Sequence, residues 1–482
     1  MLVSPGVPIL YDGVDMTILF FDVLHKDEIP LVKRSLKSAG NFSKIVAISE
    51  IPIEGVETFP RKNVGALVNE LLRETVVFAT PGVIFTHEFL EKVEKYKGSL
   101  VYSDYLESGK EQKKLFDYNG DFTERFDFGH VITIVPPIPV EILEHLNYAY
   151  LYDLKLKLRG KGTPFIHLID PLYSTMEPED DEMAKKLHSR SFRYLFYKPE
   201  EELEYEKVFK DFLLRNDAFL DGYYEKVYDP TDKYELMASV VIPVLNRAKF
   251  IGTAIESVLN QDFDSYEILV VDNGSTDGTQ DVVRKYISTG KVRLFQNPSG
   301  TISLALNTGI RNARGKYIAQ LDSDDVYLPE TLRCMVEALE KNPYAGLAIS
   351  YYELMDEVGN PLKEFGVIRH LEYDRNNILR VEGAGAVRVW RKKVLFEMGL
   401  FDEENYGNYG EDYDMVLKVS EKYQVIRVHK VLYRYRKHPG STDVTRPAWY
   451  RVFTKNMARQ VAFKRRQLRN QVLRMSRGLK NA

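Results

Sequence analysis

The chain has 482 residues, 44% of them hydrophobic and 28% charged, a globular composition that excludes disordered and fibrous classes and leaves room for two or three domains. Its single cysteine, Cys334, excludes an intrachain disulfide and any Cys-rich zinc site. The formal charge of −4 is unevenly spread: from Arg446 onward there are eleven Lys and Arg and no Asp or Glu, so the preceding 445 residues carry −15.

The start, "MLVSPGVPILYDGVD", has neither the basic region nor the apolar core of a signal peptide, and no run of eighteen apolar residues follows anywhere. A cytoplasmic protein is expected. Apolar runs then alternate with amphipathic stretches, in "MTILFFD", "KIVAIS", "TVVFATPGVIFT" and "YAYLYDLKLKLRGKGTPFIHLIDPLYSTM". Residues 177–235 are acidic, aromatic and helix-prone, too rich in Phe, Tyr and Leu for a flexible tether; they predict a packed helical connector.

The second half alternates in the same way. "ASVVIPVLN" predicts a buried strand, "KFIGTAIESVLNQ" an amphipathic helix, and "YEILVVDNGSTDGT" a second strand ending in turn residues. The helix "ISLALNTGIRNARG" leads to the strand "KYIAQL" and then to "DSDD", residues 322–325. Strands alternating with helices predict a mostly parallel sheet, in which ligands sit beyond the carboxyl ends of the strands. Asn246, Asp272 and the Asp322–Asp325 cluster each fall at such an end.

An acidic cluster there is either a solvated turn or a seat for a hard divalent cation. Three strands aiming polar groups at one crevice favour the cation. Asp272 has two readings, a carboxylate accepting from a nucleobase ring and a cap for the following helix. There is no GxxxxGK[ST] and no GxGxxG, so phosphates held here need another counter-charge, which Mg²⁺ or Mn²⁺ on Asp322 and Asp324 would supply. In "GEDYDMVLKV" Gly410, Glu411 and Asp412 open a helix, as ordinary N-terminal chemistry or as a general base. "YRYRKHPGS" offers His438 as a further metal ligand, with Arg434 and Arg436 placed to face phosphates.

The order of "VVIPVLNR", "VVDNGSTDGT", "ALNTGIRNARGKYIAQLDSDD", "GLFDEE…GEDYDM" and "YRYRKHPGS" over residues 237–442 resembles glycosyltransferase family 2 with a GT-A fold. The resemblance implies inverting transfer of a sugar from a nucleotide-sugar, usually a UDP-sugar, to an acceptor hydroxyl. It implies that Pro243 and Asn246 border the base and ribose and that Asp272 contacts the base. Asp322 and Ser323 then meet the ribose or sugar, Asp324 binds Mn²⁺ or Mg²⁺ with Asp322 and His438, and Asp412 is the base with Glu411 beside it. Two departures stand out: Asn273 replaces a commoner second Asp, and "SLALN" lacks an Arg common in relatives. The stretch "VEGAGAVRVWRKKVLFEMG" is expected on the acceptor side, with Gly385 allowing close approach and Trp390 offering a face to a sugar or filling the core.

Laid over the second half, the first keeps the apolar pattern and loses the polar sites. Asp272 falls on Ser49, Asp322 and Asp324 on Ala79 and Pro81, Asp412 on Leu151 and His438 on Pro178. The expected architecture is α/β: two tandem GT-A-like, Rossmann-type domains with mostly parallel sheets, joined by a helical connector. The expected boundaries are a degenerate, non-catalytic domain at 1–176, the connector at 177–235, a catalytic domain at 236–445 and a basic amphipathic helix at 446–482.

The expected partners are a nucleotide-sugar donor and a carbohydrate or lipid-linked acceptor, in polysaccharide, cell-envelope or glycolipid synthesis; no nucleic acid is expected, and homo-oligomerisation stays open. The tail's apolar stripe (Phe453, Met457, Val461, Leu468, Val472, Met475, Leu479) suits either peripheral contact with the inner face of a membrane or docking on the acidic body. Two other readings are a nucleotidyltransferase acting on sugar phosphates and a catalytically dead carbohydrate-binding scaffold.

Overall fold

The computed structural model describes residues 16–176, 197–230, 233–298, 300–406 and 408–480. Among these, the chain divides into two compact units, one of residues 16–176 and 197–212 and the other of 213–480.

In the first unit, β1 (Thr17–Asp22), β2 (Lys44–Ile48), β3 (Glu57–Phe59) and β4 (Thr75–Ala79) are parallel neighbours, with β1 between β2 and β4. Their residues are apolar almost without alternation, as a sheet covered on both faces requires. The sheet continues through the antiparallel β9 (Val131–Val135) to β6 (Ser99–Ser103) and β10 (Phe165–Leu168), giving the order β3-β2-β1-β4-β9-β6-β10, while β5 (Val83–Phe85), β7 (Tyr105–Glu107), β8 (Glu111–Lys113) and β11 (Tyr173–Thr175) form a separate four-stranded sheet. Helix α1 (Ile29–Ser35) follows β1, α2 (Val64–Leu71) precedes β4, α3 (Phe89–Val93) precedes β6, and α4 (Tyr150–Gly160) precedes β10.

Of the expected connector, residues 177–196 and 231–232 lie outside the described residues, and so does Pro178. Helix α5 (Pro199–Arg215) is the helical part of the rest, and residues 216–230 hold no helix. "NDAFLDGYY" brings Gly and short polar residues that favour turns over a continued helix.

The second unit repeats the path. β12 (Leu236–Val244) lies between β13 (Tyr266–Asp272) and β15 (Gly315–Gln320), with β14 (Val292–Gln296) beyond β13, all parallel. Then come the antiparallel β19 (Arg388–Arg391), β17 (Ala345–Met355) and β20 (Gln424–Arg436), so that β14-β13-β12-β15-β19-β17-β20 matches the first sheet strand for strand. Helices α6 (Ile251–Leu259), α7 (Thr279–Ile287), α8 (Ile302–Asn312), α9 (Thr331–Lys341), α10 (Lys392–Glu397) and α11 (Glu411–Ser420) connect these strands. After the short α12 (Thr442–Thr445), helix α13 (Ala448–Lys480) ends the described chain.

Helix α8 can approach β12, and β15 can pair with it, because both contacts use glycine. A Cβ at Gly309 would lie 2.4 Å from Val241, and one at Gly315 2.5 Å from the backbone of Ala238 and Ser239. No helix of the described residues is long and apolar enough to cross a membrane.

The tail helix packs by one face, and that face is not the stripe read from the sequence, of which Phe453, Val461, Leu468, Val472 and Met475 stay exposed. One face of α13 buries Thr454, Asn456, Ala458, Arg459, Ala462, Phe463 and Arg466. Four of its cations pair with the body: Lys455 and Arg459 with Glu382, Arg465 with Glu421 at 2.7 Å, and Arg474 with Asp217.

Candidate active site

The site is assembled where β12, β13 and β15 end. At the end of β12, Pro243 is buried, and Asn246 turns the chain with a left-handed φ of 53°, a conformation Asn tolerates. The Asn246 side-chain oxygen accepts the Thr276 N–H at 2.9 Å, and the Asn246 N–H donates to Ser275 Oγ at 2.8 Å, so the loops after β12 and β13 are tied together.

Asp272 ends β13 fully buried, opposite Val244. Its carboxylate accepts the Ser275 N–H at 3.2–3.3 Å and Gln280 Nε2 at 2.7 Å. In this conformation it ties the turn after β13 to a side chain of the next helix without capping that helix, whose N-cap is Gly278.

After β15 the four residues of "DSDD" separate. Ser323 is buried. Asp325 is internal, accepting from Tyr433 Oη at 2.8 Å and from the Arg436 N–H at 2.7 Å; burial, then the charges of Asp324 and Asp322, push its carboxyl well up. Asp324 faces the crevice, where its Oδ2 meets His438 Nε2 at 2.8 Å and Arg247 Nε at 3.2 Å. Burial works against that carboxylate, but the His438 hydrogen bond and the charge of Arg247 hold it below the usual carboxylate range. Phe250 packs on the His438 ring, 4.7 Å between centroids.

The expected metal trio is therefore corrected to a pair. Among the described residues no three His, Cys, Asp or Glu side chains gather to hold an ion; Asp324 and His438 meet, and Asp322 is not part of a three-ligand centre. Oxygen and imidazole donors suit Mn²⁺ or Mg²⁺, and a two-ligand set fits an ion whose remaining positions go to substrate phosphates and water.

Glu411 and Asp412 open α11. Gly410 precedes them at φ 93°, and Thr454 of α13 lies 3.4 Å from where its Cβ would be. Asp412 receives Arg388 Nη2 at 2.5 Å and the Tyr413 N–H at 2.6 Å. Glu411 is buried, and burial followed by the Asp412 charge raises its carboxyl well above the ordinary range. Glu411 thus stands, its carboxyl raised, beside the ion-paired carboxylate of Asp412.

Two arginines that the sequence did not single out belong here: Arg247, which also reaches the Gly440 carbonyl at 2.8 Å, and Arg388. The only sequence signals were a single Arg after a strand and a single Arg in an apolar run. Arg434 and Arg436, by contrast, do not face phosphates. Arg434 pairs with Glu353 at 2.6 Å, while buried Arg436 donates to the carbonyls of Asp324 and Glu357 at 2.6 and 2.9 Å.

On the expected acceptor side, Gly385 has φ 72° and lies beside His370 and Tyr352. Trp390 is 0% exposed in the middle strand β19, edge-on to Phe401, and offers no face to a sugar, which corrects its expected acceptor role.

In the first unit, the same strand ends hold other chemistry. Ala79 ends β4, Pro81 follows it, and Leu151 lies in α4. Strand pairing puts Asp22 opposite Ile48 as it puts Val244 opposite Asp272, so Ile48, one residue before Ser49, takes the Asp272 place. Arg61 pairs there with Asp22, which also accepts Tyr150 Oη at 2.7 Å.

The family model for "Glycosyl transferase family 2" matches residues 239–397. An uncharacterized glycosyltransferase of Rickettsia conorii is 33% identical over 219 residues, 43% of this chain and 35% of that protein. One from Rickettsia typhi is 30% identical over 220 residues, 44% of this chain and 67% of that protein. A chondroitin synthase of Escherichia coli is 28% identical over 46% of this chain and 32% of its own length. The chain thus spans about a third of the first of these relatives.

Among solved structures, S. aureus TarS 1–349 in complex with UDP is 23% identical with a TM-score of 0.36, over 42% of this chain and 61% of that one. The mannosyltransferase PcManGT from Pyrobaculum calidifontis, in complex with GDP-Man and Mn²⁺, is 19% identical with a TM-score of 0.35, over 54% and 80%. With the motif order, the strand-end carboxylates and these relatives together, the chain belongs to glycosyltransferase family 2.

Proposed function

We propose that the second unit transfers a sugar from a UDP-sugar to an acceptor hydroxyl, with inversion at the anomeric carbon. The observation that carries this is the division of labour at the strand ends: Asp324 with His438 on one side, ion-paired Asp412 with Glu411 on the other, and Asp322 between them in charge.

Asp324 and His438 are the residues that would hold Mn²⁺ or Mg²⁺. Such an ion, when bound, neutralises charge developing on the departing diphosphate. Asp412 takes the proton of the acceptor hydroxyl, whose oxygen forms the new bond to the anomeric carbon as the bond to the diphosphate breaks on the opposite side. That requires Asp412 and the hydroxyl within roughly 2.6–3.2 Å in the productive pose. Asn246 and Asp272 shape the base and ribose end, and Asp322 with Ser323 the sugar end.

The acceptor is read as a carbohydrate or lipid-linked glycan, and the working place as the cytoplasm. The first unit is read as non-catalytic. A thermal-shift screen of nucleotide-sugars with Mn²⁺ tests the proposal, because a ligand that binds only the folded state raises stability by mass action. A shift with UDP-sugars, followed by UDP release on adding acceptor, is the expected result. A response to nucleoside triphosphates with release of pyrophosphate would replace it with nucleotidyl transfer.

A further inference from the structure

Arg388 is the first residue of β19, paired across to Gln320 on one side and Ile349 on the other, so its position is set by two strands. Its side chain is only 12% exposed, and Nη2 lies 2.5 Å from Asp412 Oδ2. Around it, the buried atoms Arg388 Nε, Gln320 Oε1 and Glu411 Oε2 have no hydrogen-bond partner among the described residues. A buried guanidinium without a counter-charge is costly, and unpartnered buried polar atoms on its neighbours mark a place built for more than packing.

Three carboxylates act on this one cation. Burial works against the guanidinium charge, and the carboxylates of Asp412, Asp322 and Glu411, with Tyr433, outweigh it. Without the arginine, Asp412 would stand next to Glu411 with no ion-pair partner, and its aim would not be fixed.

We propose that Arg388 is a positioning residue of the transfer reaction, holding the Asp412 carboxylate aimed from a strand inside the sheet. The inference rests on the reading of Asp412 as the base. Oδ2 is taken by the guanidinium and Oδ1 receives the Tyr413 N–H, so the helix start cannot rotate the carboxylate away. Each oxygen keeps a second lone pair for the incoming hydroxyl. The strand places the arginine and the arginine places the base, while the donor side at Asp324 and His438 is left alone.

The experiment is a double-mutant cycle of Arg388→Met and Asp412→Asn, with Arg388→Lys as the conservative variant. It is read by thermal melting and by UDP release from whichever UDP-sugar the wild-type protein turns over. In melting, the two single changes should cost more in sum than the double change does, because either one breaks the same pair. In turnover, Arg388→Met should lower kcat about 10²-fold with donor KM within about twofold, as for a misplaced catalytic group. Arg388→Lys should recover part of that loss, and Arg388→Met should cost nothing further on top of Asp412→Asn.

Additive melting costs would overturn the proposal, as would turnover losses that multiply, or a raised donor KM at unchanged kcat, which would put Arg388 on the donor. A wild-type protein that turns over no nucleotide-sugar would defeat the transferase reading instead. The melting cycle would still decide whether Arg388 holds Asp412.

Discussion

His438 and Asp324 are joined directly, Nε2 to Oδ2 at 2.8 Å, while the other ring nitrogen of His438 accepts the Gly440 N–H at 3.2 Å. The second contact assigns the tautomer: Nδ1 is the acceptor, so the proton sits on Nε2 and is donated to the carboxylate. A cation bound by this pair must replace that proton.

It follows that Asp324→Ala should abolish donor turnover, whereas His438→Ala should weaken Mn²⁺ affinity and leave a measurable rate at saturating metal. Calorimetric Mn²⁺ titration and UDP release with and without chelator check both. Full activity of Asp324→Ala in chelator contradicts the assignment.

Asp412→Asn keeps the shape of the helix start and removes the proton acceptor. Donor binding should persist while transfer drops by ~10²–10⁴, the range for a general base. Near-normal transfer would reduce Asp412 to a helix cap.

Removing α13 by truncation before Pro447 should lower the melting temperature sharply and leave liposome binding unchanged, since four of its cations are paired with the body. Phe463→Ala alone should cost about 3 kcal/mol, typical of a buried aromatic ring. Lost liposome binding with an unchanged melting temperature would favour the membrane reading.

His370 provides a pH signature. Burial, with the charge of Arg427, lowers its pKa to about 3. The folded protein therefore keeps the ring neutral where the unfolded chain, with an ordinary pKa near 6.5, takes up a proton. Stability should fall as pH drops from about 6.5 toward 3, by on the order of 1.4 kcal/mol per unit from this group. Urea unfolding against pH should show a shallower acid limb in His370→Leu, and an identical limb would mean that the ring titrates normally in the fold.

Each chain should hold one donor site. Titration with a UDP-sugar and Mn²⁺ should give a stoichiometry near one, erased by Asp322→Ala with Asp324→Ala. A stoichiometry of two would mean that the first unit binds nucleotide by other means.

The strands and helices that position the site were legible because their periods are strong. "YEILVVD" is buried at every residue, as a doubly covered strand should be, and "GEDYDMVLKV" starts a helix where its acidic residues suit one. The meeting of Asp324 with His438 was legible from motif order. Trp390 was not: "VRVW" sits beside flexible glycines in sequence, yet it forms a central strand whose two faces are both covered, which no local pattern reveals. Arg388 was hidden for the same reason, since an antiparallel insertion between β15 and β17 brings it to α11 across the sheet. The inward turn of Asp272 depends on Gln280, a residue with no signature of its own.

The Asp22–Arg61–Tyr150 cluster of the first unit has a consequence for any attempt to give this chain a second active centre. Tyr150 opens α4 as Glu411 opens α11, and its hydroxyl closes on Asp22 while Arg61 seals the other side and donates to the Asn147 carbonyl at 2.9 Å. Strand pairing sets Ala79 opposite Phe21, so carboxylates grafted at Ala79 and Pro81 would come near Asp22, whose charge Arg61 already answers. An engineer would change Arg61 and Tyr150 first and refit the ligands afterwards; the reverse order would add negative charge beside a pair that is already made.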